Sequence, residues 1–156
     1  MDIVDYFTTG NKEYWLTKIS TCDWGAGKYL CELIRNDAFF DMVGKNSRLL
    51  LLVDGDKLIS FCTLAEKDDI QPTELTPWMG FVYTFPEYRG HRYLGKLFDE
   101  IGKILKSDGS SKVYISTDHV GLYEKYGCTF MMEAKALSGD DSRIYVKEYQ
   151  NTSRCC

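Results

Sequence analysis

The sequence predicts a mixed α/β domain, with a mostly antiparallel central sheet that holds one parallel pair and is flanked by helices. Three observations carry that prediction. Strand-turn-strand patterns stand on both sides of the chain's middle: Arg48 to Val53 and Lys57 to Glu66 about the turn Asp54-Gly55-Asp56, then Cys128 to Ala136 and Arg143 to Tyr149 about Ser138-Gly139-Asp140-Asp141. Between them, a strand, an amphipathic helix and a further strand form a crossover, which demands parallel pairing. Finally, 156 residues of which 44% are hydrophobic and 27% charged suffice for one core and are short for two. The expected division is a single domain over residues 1–150 and a polar tail over 151–156.

Asp2 to Phe7 alternates in the manner of a first strand, and Thr8-Thr9-Gly10-Asn11 breaks it. Trp15, Leu16 and Ile19 recur at helical spacing after Lys12. A second helix follows from Asp23, its expected cap, to Arg35, with Trp24, Tyr29, Leu30, Leu33 and Ile34 on the apolar side. Trp15 and Trp24 read as core anchors of these two helices. After the first hairpin, Lys67 to Pro77 is polar and contains two prolines, so it reads as a loop. The strand Trp78 to Phe85 comes next, then a helix whose apolar face is Leu94, Leu97, Phe98, Ile101, Ile104 and Leu105 and which Ser107-Asp108-Gly109-Ser110 ends. Val113 and Ile115 mark a short strand, and a small helix from Val120 to Tyr126 stops at Gly127.

Composition excludes several function classes. A net charge of −4 with dispersed basic residues leaves no nucleic-acid footprint. Six cysteines without a C-x-x-C pair, and only two histidines, give no zinc spacing, so no metal site is expected and the thiols should be reduced. The terminal Cys155-Cys156 follows a polar NTSR and reads as a frayed end. No apolar run approaches a membrane span and no leader pattern opens the chain, so a cytoplasmic protein is expected. Monomer and homodimer are equally open.

The chemistry centres on Gly80 to Gly95, where an aromatic strand meets Pro86, Arg89-Gly90 and a helix N-terminus. Free N–H groups of a first helical turn, at the positive end of the macrodipole, bind anions. Gly90 to Lys96 spells G-x-x-x-x-G-K, the phosphate loop of nucleoside triphosphatases, but Leu97 stands where that chemistry needs a hydroxyl for magnesium.

Two segments together point elsewhere. Thr84-Phe85-Pro86-Glu87-Tyr88-Arg89-Gly90 before the helix, and Leu122-Tyr123-Glu124-Lys125-Tyr126-Gly127 with Phe130 after the next strand, resemble the acetyl-CoA signature of the GNAT N-acetyltransferases. The resemblance implies that family's fold, in which the parallel pair is splayed. It also implies a pyrophosphate turn over Arg89, Gly90, His91, Arg92, Tyr93, Leu94, Gly95 and Lys96. The family pattern there is Q/R-x-x-G-x-G/A; Arg92 and Leu94 replace its glycines and Gly95 falls one place late.

By the same resemblance the protein is an acetyl-CoA-dependent N-acetyltransferase acting on an amine of a small molecule or peptide in a ternary complex, with no metal. The alternative is a non-catalytic acyl-CoA-binding module of the same fold. Tyr83, Thr84 and Phe85 would offer backbone groups to the pantetheine arm and thioester. Tyr123 matches the tyrosine that protonates the departing thiolate, which a phenol with a pKa near ~10 is able to do at neutral pH. No glutamate lies early in the central strand, so Glu66 is the first choice of base, with Asp68 and Asp69 beside it. Thr117 or Asp118 would take the part of an asparagine that many family members place before the L-Y-x-K segment, while His119 reads as a surface residue.

Overall fold

Residues 1–150 are described by the computed structural model, and the terminal cysteine pair lies outside them. Seven strands form one sheet: β1 (Asp2–Asp5), β2 (Arg48–Asp54), β3 (Lys57–Ala65), β4 (Trp78–Thr84), β5 (Lys112–Thr117), β6 (Thr129–Lys135) and β7 (Asp141–Glu148). Their order is β1-β2-β3-β4-β5-β7-β6. Every pairing is antiparallel except β4 with β5, the pair joined by the crossover helix. The helices are α1 (Lys12–Ser20), α2 (Gly25–Arg35), α3 (Phe39–Val43) and α4 (Leu94–Ser107). No helix among the described residues is long and apolar enough to cross a membrane.

The unbroken aliphatic run of β2 follows from cover on both faces. Leu49, Leu51 and Val53 point into a core closed by Trp15, Leu16 and Ile19 of α1 and Leu30 and Leu33 of α2. Leu50 and Leu52 point the other way, against Leu97, Phe98, Ile101 and Leu105 of α4. In β3, Phe61 joins the first core and Ile59 and Cys62 the second. Alternation along β2, and in β3 a bulge at Ile59 that sets it on the face opposite to Phe61, divide the apolar residues between two layers of helix, with the sheet between them. Among the described residues, Cys22, Cys31, Cys62 and Cys128 are buried free thiols.

Several local expectations change. The first strand stops at Asp5, whose carboxylate accepts the Phe7 amide at 3.1 Å and starts a 3-10 turn over Tyr6–Thr8. Asp23 does not cap α2: Trp24 holds the N-cap position, and the Asp23 carboxylate instead accepts the Tyr83 hydroxyl at 2.9 Å. Helix α3 has too few residues for its periodicity to register in sequence. The small helix before Gly127 contracts to a 3-10 turn over Tyr123–Tyr126, closed by Gly127 at φ +84°.

Candidate functional site

Strand β4 creates the site by breaking its own pairing. Phe61 lies opposite Tyr83 and Thr63 opposite Gly80, so Phe81 and Val82 together face the single residue Cys62. This is a β-bulge, and Phe81 within it has φ +46°, a left-handed conformation that bulky residues seldom adopt. On its other side β4 pairs with β5 only where Trp78 meets Tyr114. Past that point the parallel strands part, and the expected splay is present.

A cavity of about 520 Å³ opens on this side of the gap. Val82, Tyr83 and Thr84 form its strand wall, Tyr88 to Leu94 without His91 contribute its turn, and His119, Leu122, Tyr123 and Tyr126 close the far side. Arg89 ties the turn to the strand, its Nε donating to the Thr84 carbonyl at 2.9 Å while its guanidinium lies 5.4 Å from the Tyr83 ring centre. At the start of α4 the amides of Gly95 and Lys96 turn back onto the carbonyls of Arg92 and Tyr93, each at 3.0 Å. The amides of Gly90, His91, Arg92, Tyr93 and Leu94 have no acceptor among the described residues. Such a run of free donors at a helix N-terminus suits a pyrophosphate.

Arg92 resolves the departure from the family pattern. Its φ is +57°, so the backbone keeps the left-handed turn that a glycine ordinarily supplies, now with a guanidinium attached. Gly90, at φ +87°, makes the same kind of turn two residues earlier. Leu97 is buried in the core beneath α4, which leaves nothing at that position for a metal.

Tyr123 reaches the cavity from the 3-10 turn after β5. It is buried against Phe98 and Tyr145, at ring-centre distances of 6.4 and 6.3 Å. Its hydroxyl makes no hydrogen bond among the described residues. Burial first, then the proximity of Cys62, Cys128, Asp68 and Tyr126, pushes its pKa above the ordinary tyrosine value, so the phenol holds its proton at neutral pH.

The remaining sequence-predicted residues separate. Phe85 is buried in the first core and its amide donates to the Ile59 carbonyl at 3.1 Å. His91 is exposed and stacks on Tyr93. Gly95 and Lys96 belong to the first turn of α4, behind the cavity lining. Thr117 ends β5, where its hydroxyl accepts the His119 amide at 3.1 Å.

Glu66 lies elsewhere, on a second cavity of about 710 Å³. This one is walled by the N-terminal half of α2, the end of α3, the loop after β3 and the face of β4 bearing Trp78 and Phe81. Glu66 Oε1 accepts the Asn46 amide at 2.8 Å, and Lys67 donates its amide to Val43 at 3.0 Å, which ties the loop to α3. At its other end Gln71 bonds to Lys135 and Ala136, and Asp69 accepts the Leu137 amide, so the hairpin of β6 and β7 also holds it.

Asp68 is the residue whose setting sequence reasoning missed. As a residue it is half-buried, but its carboxyl end is packed on Gly80: a Cβ at that position would collide with Oδ1 and lie 3.2 Å from both Cγ and the Thr63 hydroxyl. Burial outweighs the neighbouring Asp69 amide and raises the Asp68 pKa to about 7. The only signal for this in the sequence is a glycine inside a strand, which marks a close approach. Trp24, read as a core anchor, is half-buried and stands on the wall shared by both cavities.

Residues 32–131 match the family described as the acetyltransferase (GNAT) domain, well over half of the chain. The chain belongs to the GNAT acetyltransferase family. Solved structures share the fold: the aminoglycoside 6'-N-acetyltransferase from Enterococcus faecium has a TM-score of 0.67 at 13% identity, covering 100% of each chain. An acetyltransferase from Streptococcus agalactiae 2603 has a TM-score of 0.63 at 20% identity over 94% of this chain and 97% of its own. A GNAT family acetyltransferase from Elizabethkingia anophelis with acetyl-CoA bound has a TM-score of 0.63 at 16% identity, again over 94% of this chain and 97% of its own. No curated protein matches the sequence.

Proposed function

We propose that residues 1–150 act as one catalytic domain that transfers the acetyl group of acetyl-CoA to a primary amine of a small molecule or peptide, both substrates being bound together. The observation that carries the reading is the run of free amides from Gly90 to Leu94, in a turn whose Gly90, Arg92, Tyr93 and Leu94 line the same cavity as Tyr123. The amides, with Arg89 and Arg92, would hold the pyrophosphate; Tyr83 and Thr84 would guide the pantetheine arm along the splayed strand. No cysteine among the described residues lines the cavity, which favours direct transfer over an acyl-enzyme.

Tyr123 is the proton donor for the leaving sulfur in this reading. Enclosed and unbonded, the phenol keeps its proton until a stronger base than water appears beside it, and a thiolate formed as the C–S bond breaks is such a base. Unpaired buried thiols accord with action in the cytosol, with no metal, nucleic acid or membrane taking part.

Calorimetry with acetyl-CoA and thiol release with a panel of amines test the proposal. The wild type should bind acetyl-CoA and release CoA in an amine-dependent manner, whereas Tyr123→Phe should bind equally and turn over ~100-fold or more slowly. Undetectable acetyl-CoA binding overturns the reading. Binding without turnover on any amine makes the protein a non-catalytic acyl-CoA module.

A further inference from the structure

We propose that the second cavity is the acceptor site, that it takes a primary monoamine on an apolar body the size of an arene, and that Asp68 removes the ammonium proton. This rests on the reading of the protein as an acetyl-CoA-dependent acyltransferase. It adds the substrate class and the base.

Position comes first. The two cavities meet at Trp24 and run along consecutive residues of β4: Trp78 and Phe81 line the second, Val82, Tyr83 and Thr84 the first. The bulge at Phe81 and Val82 is therefore the step between them. An amine in the second cavity and a thioester in the first would approach each other there. Asp68 is at that step too, seated on Gly80 and close enough to Tyr123 for its charge to act on the phenol.

The walls specify the amine. Trp24, Tyr29, Trp78 and Phe81 supply aromatic faces, and Met42 and Leu137 are apolar residues left 43% and 56% exposed beside the cavity. Aromatic faces bind both an apolar body and the cationic head attached to it. Glu66, Asp68 and Asp69 face a single lysine, Lys67, so the lining favours a cation. Each of them meets a backbone amide, Glu66 that of Asn46, Asp69 that of Leu137 and Asp68 that of Asp69, so position singles out the base. Asp68 is the carboxylate on the sheet floor. A polyamine or an amino sugar would bring several charges or hydroxyls against Met42, Ile70, Leu75 and Leu137, which offer them no partners.

Gly80 and Thr63 complete the base's setting. The missing Cβ of Gly80 is the space that the carboxylate uses, and the Thr63 hydroxyl beside it is fully buried without a hydrogen-bond partner among the described residues. Asp68 takes one proton from the ammonium and passes it to solvent. The freed lone pair forms the C–N bond at the thioester carbonyl; the C–S bond then breaks and its electron pair leaves on sulfur. Sulfur takes the Tyr123 proton, and the second proton lost by nitrogen restores the phenol.

The experiment uses 2-phenylethylamine against spermidine and kanamycin, with wild type, Asp68→Asn and Gly80→Ala. CoA-loaded wild type should bind 2-phenylethylamine by calorimetry, and its kcat/KM with acetyl-CoA should exceed that for spermidine by at least tenfold. Asp68→Asn should keep acetyl-CoA binding, lose turnover ~100-fold or more and lose the rise of kcat/KM with pH. Gly80→Ala, which evicts the carboxylate, should follow it. Failure of the CoA-loaded protein to bind 2-phenylethylamine, a preference for spermidine or kanamycin, or an Asp68→Asn protein with unchanged rate and pH profile overturns the proposal. The last two leave acetyl transfer standing, whereas loss of acetyl-CoA binding in the wild type removes the underlying reading.

Discussion

The indole of Trp24 stacks on the ring of Tyr83, with centres 5.5 Å apart and planes 11° from parallel, and the Tyr83 hydroxyl donates to Asp23 one residue before that indole. Strand β4 is thereby fastened to the start of α2 at the point where the two cavities join. Trp24→Ala should weaken acetyl-CoA binding and raise the KM of the amine together, and lower stability by about 1 kcal/mol for the lost stack, more where burial is lost as well. Tyr83→Phe, which removes only the hydroxyl, should lower stability by ~0.5–1.5 kcal/mol. Calorimetry and urea unfolding check both; an effect of Trp24→Ala on one substrate alone would show that the indole does not serve as a shared wall.

Arg92 combines a charge with a backbone that its side chain disfavours. Arg92→Gly should relieve about 1 kcal/mol of left-handed strain, set against the added freedom of a glycine in the unfolded chain. The same change deletes a cation beside the free amides. Urea unfolding should show stability maintained or slightly raised, while acetyl-CoA binding weakens and its decline with added salt becomes shallower. Unchanged affinity and salt dependence would mean that the guanidinium points away from the phosphates.

Much of this architecture was legible because binary pattern and turn chemistry agree. The hairpin about Gly55, the apolar stripe of α4 and the pair of motifs around Arg89 and Tyr123 each constrain one element, and topology links them. What escaped depends on contacts between residues far apart in sequence. Asp68 looks like a solvated loop carboxylate until the loop is tied to Val43 at one end and Lys135 at the other, which lays it over Gly80. Glu66 looks like the better base until its carboxylate is found against Gly44 and the Asn46 amide, while Asp68 sits on Gly80 of β4. Trp24 reads as core because its helix is amphipathic, yet it is the N-cap residue just before α2 begins and forms a wall of the site.

Gly102 reverses a common rule. Glycine within a helix ordinarily costs about 0.5–1 kcal/mol relative to alanine. Here a Cβ would come within 2.7 Å of the Tyr149 ring, whose hydroxyl donates to the Phe98 carbonyl at 2.6 Å. Gly102→Ala should therefore destabilise the fold, by ~1–3 kcal/mol if Tyr149 cannot yield. Restored stability in Gly102→Ala/Tyr149→Ala relative to Tyr149→Ala alone would identify the ring as the cause; a single variant more stable than wild type would refute the clash.

Asp68 makes both stability and rate depend on pH, in opposite directions. Burial raises its pKa from 3.8 to about 7, so the fold prefers the neutral acid. Between those values the native state holds a proton that the unfolded chain has released, and stability falls as pH rises through the window, then levels above it. Catalysis needs the ionised form, so kcat/KM should rise through the same region. Glu66, Lys67 and Asp69 face the same cavity and Tyr123 lies near, but only Asp68 among these carboxylates is seated on the sheet. Asp68→Asn should remove the decline in urea midpoint between about pH 4 and about pH 7 and the rising limb of the rate profile at once. Retention of either slope in the mutant would assign it to another group, and retention of both would free Asp68 from the reaction.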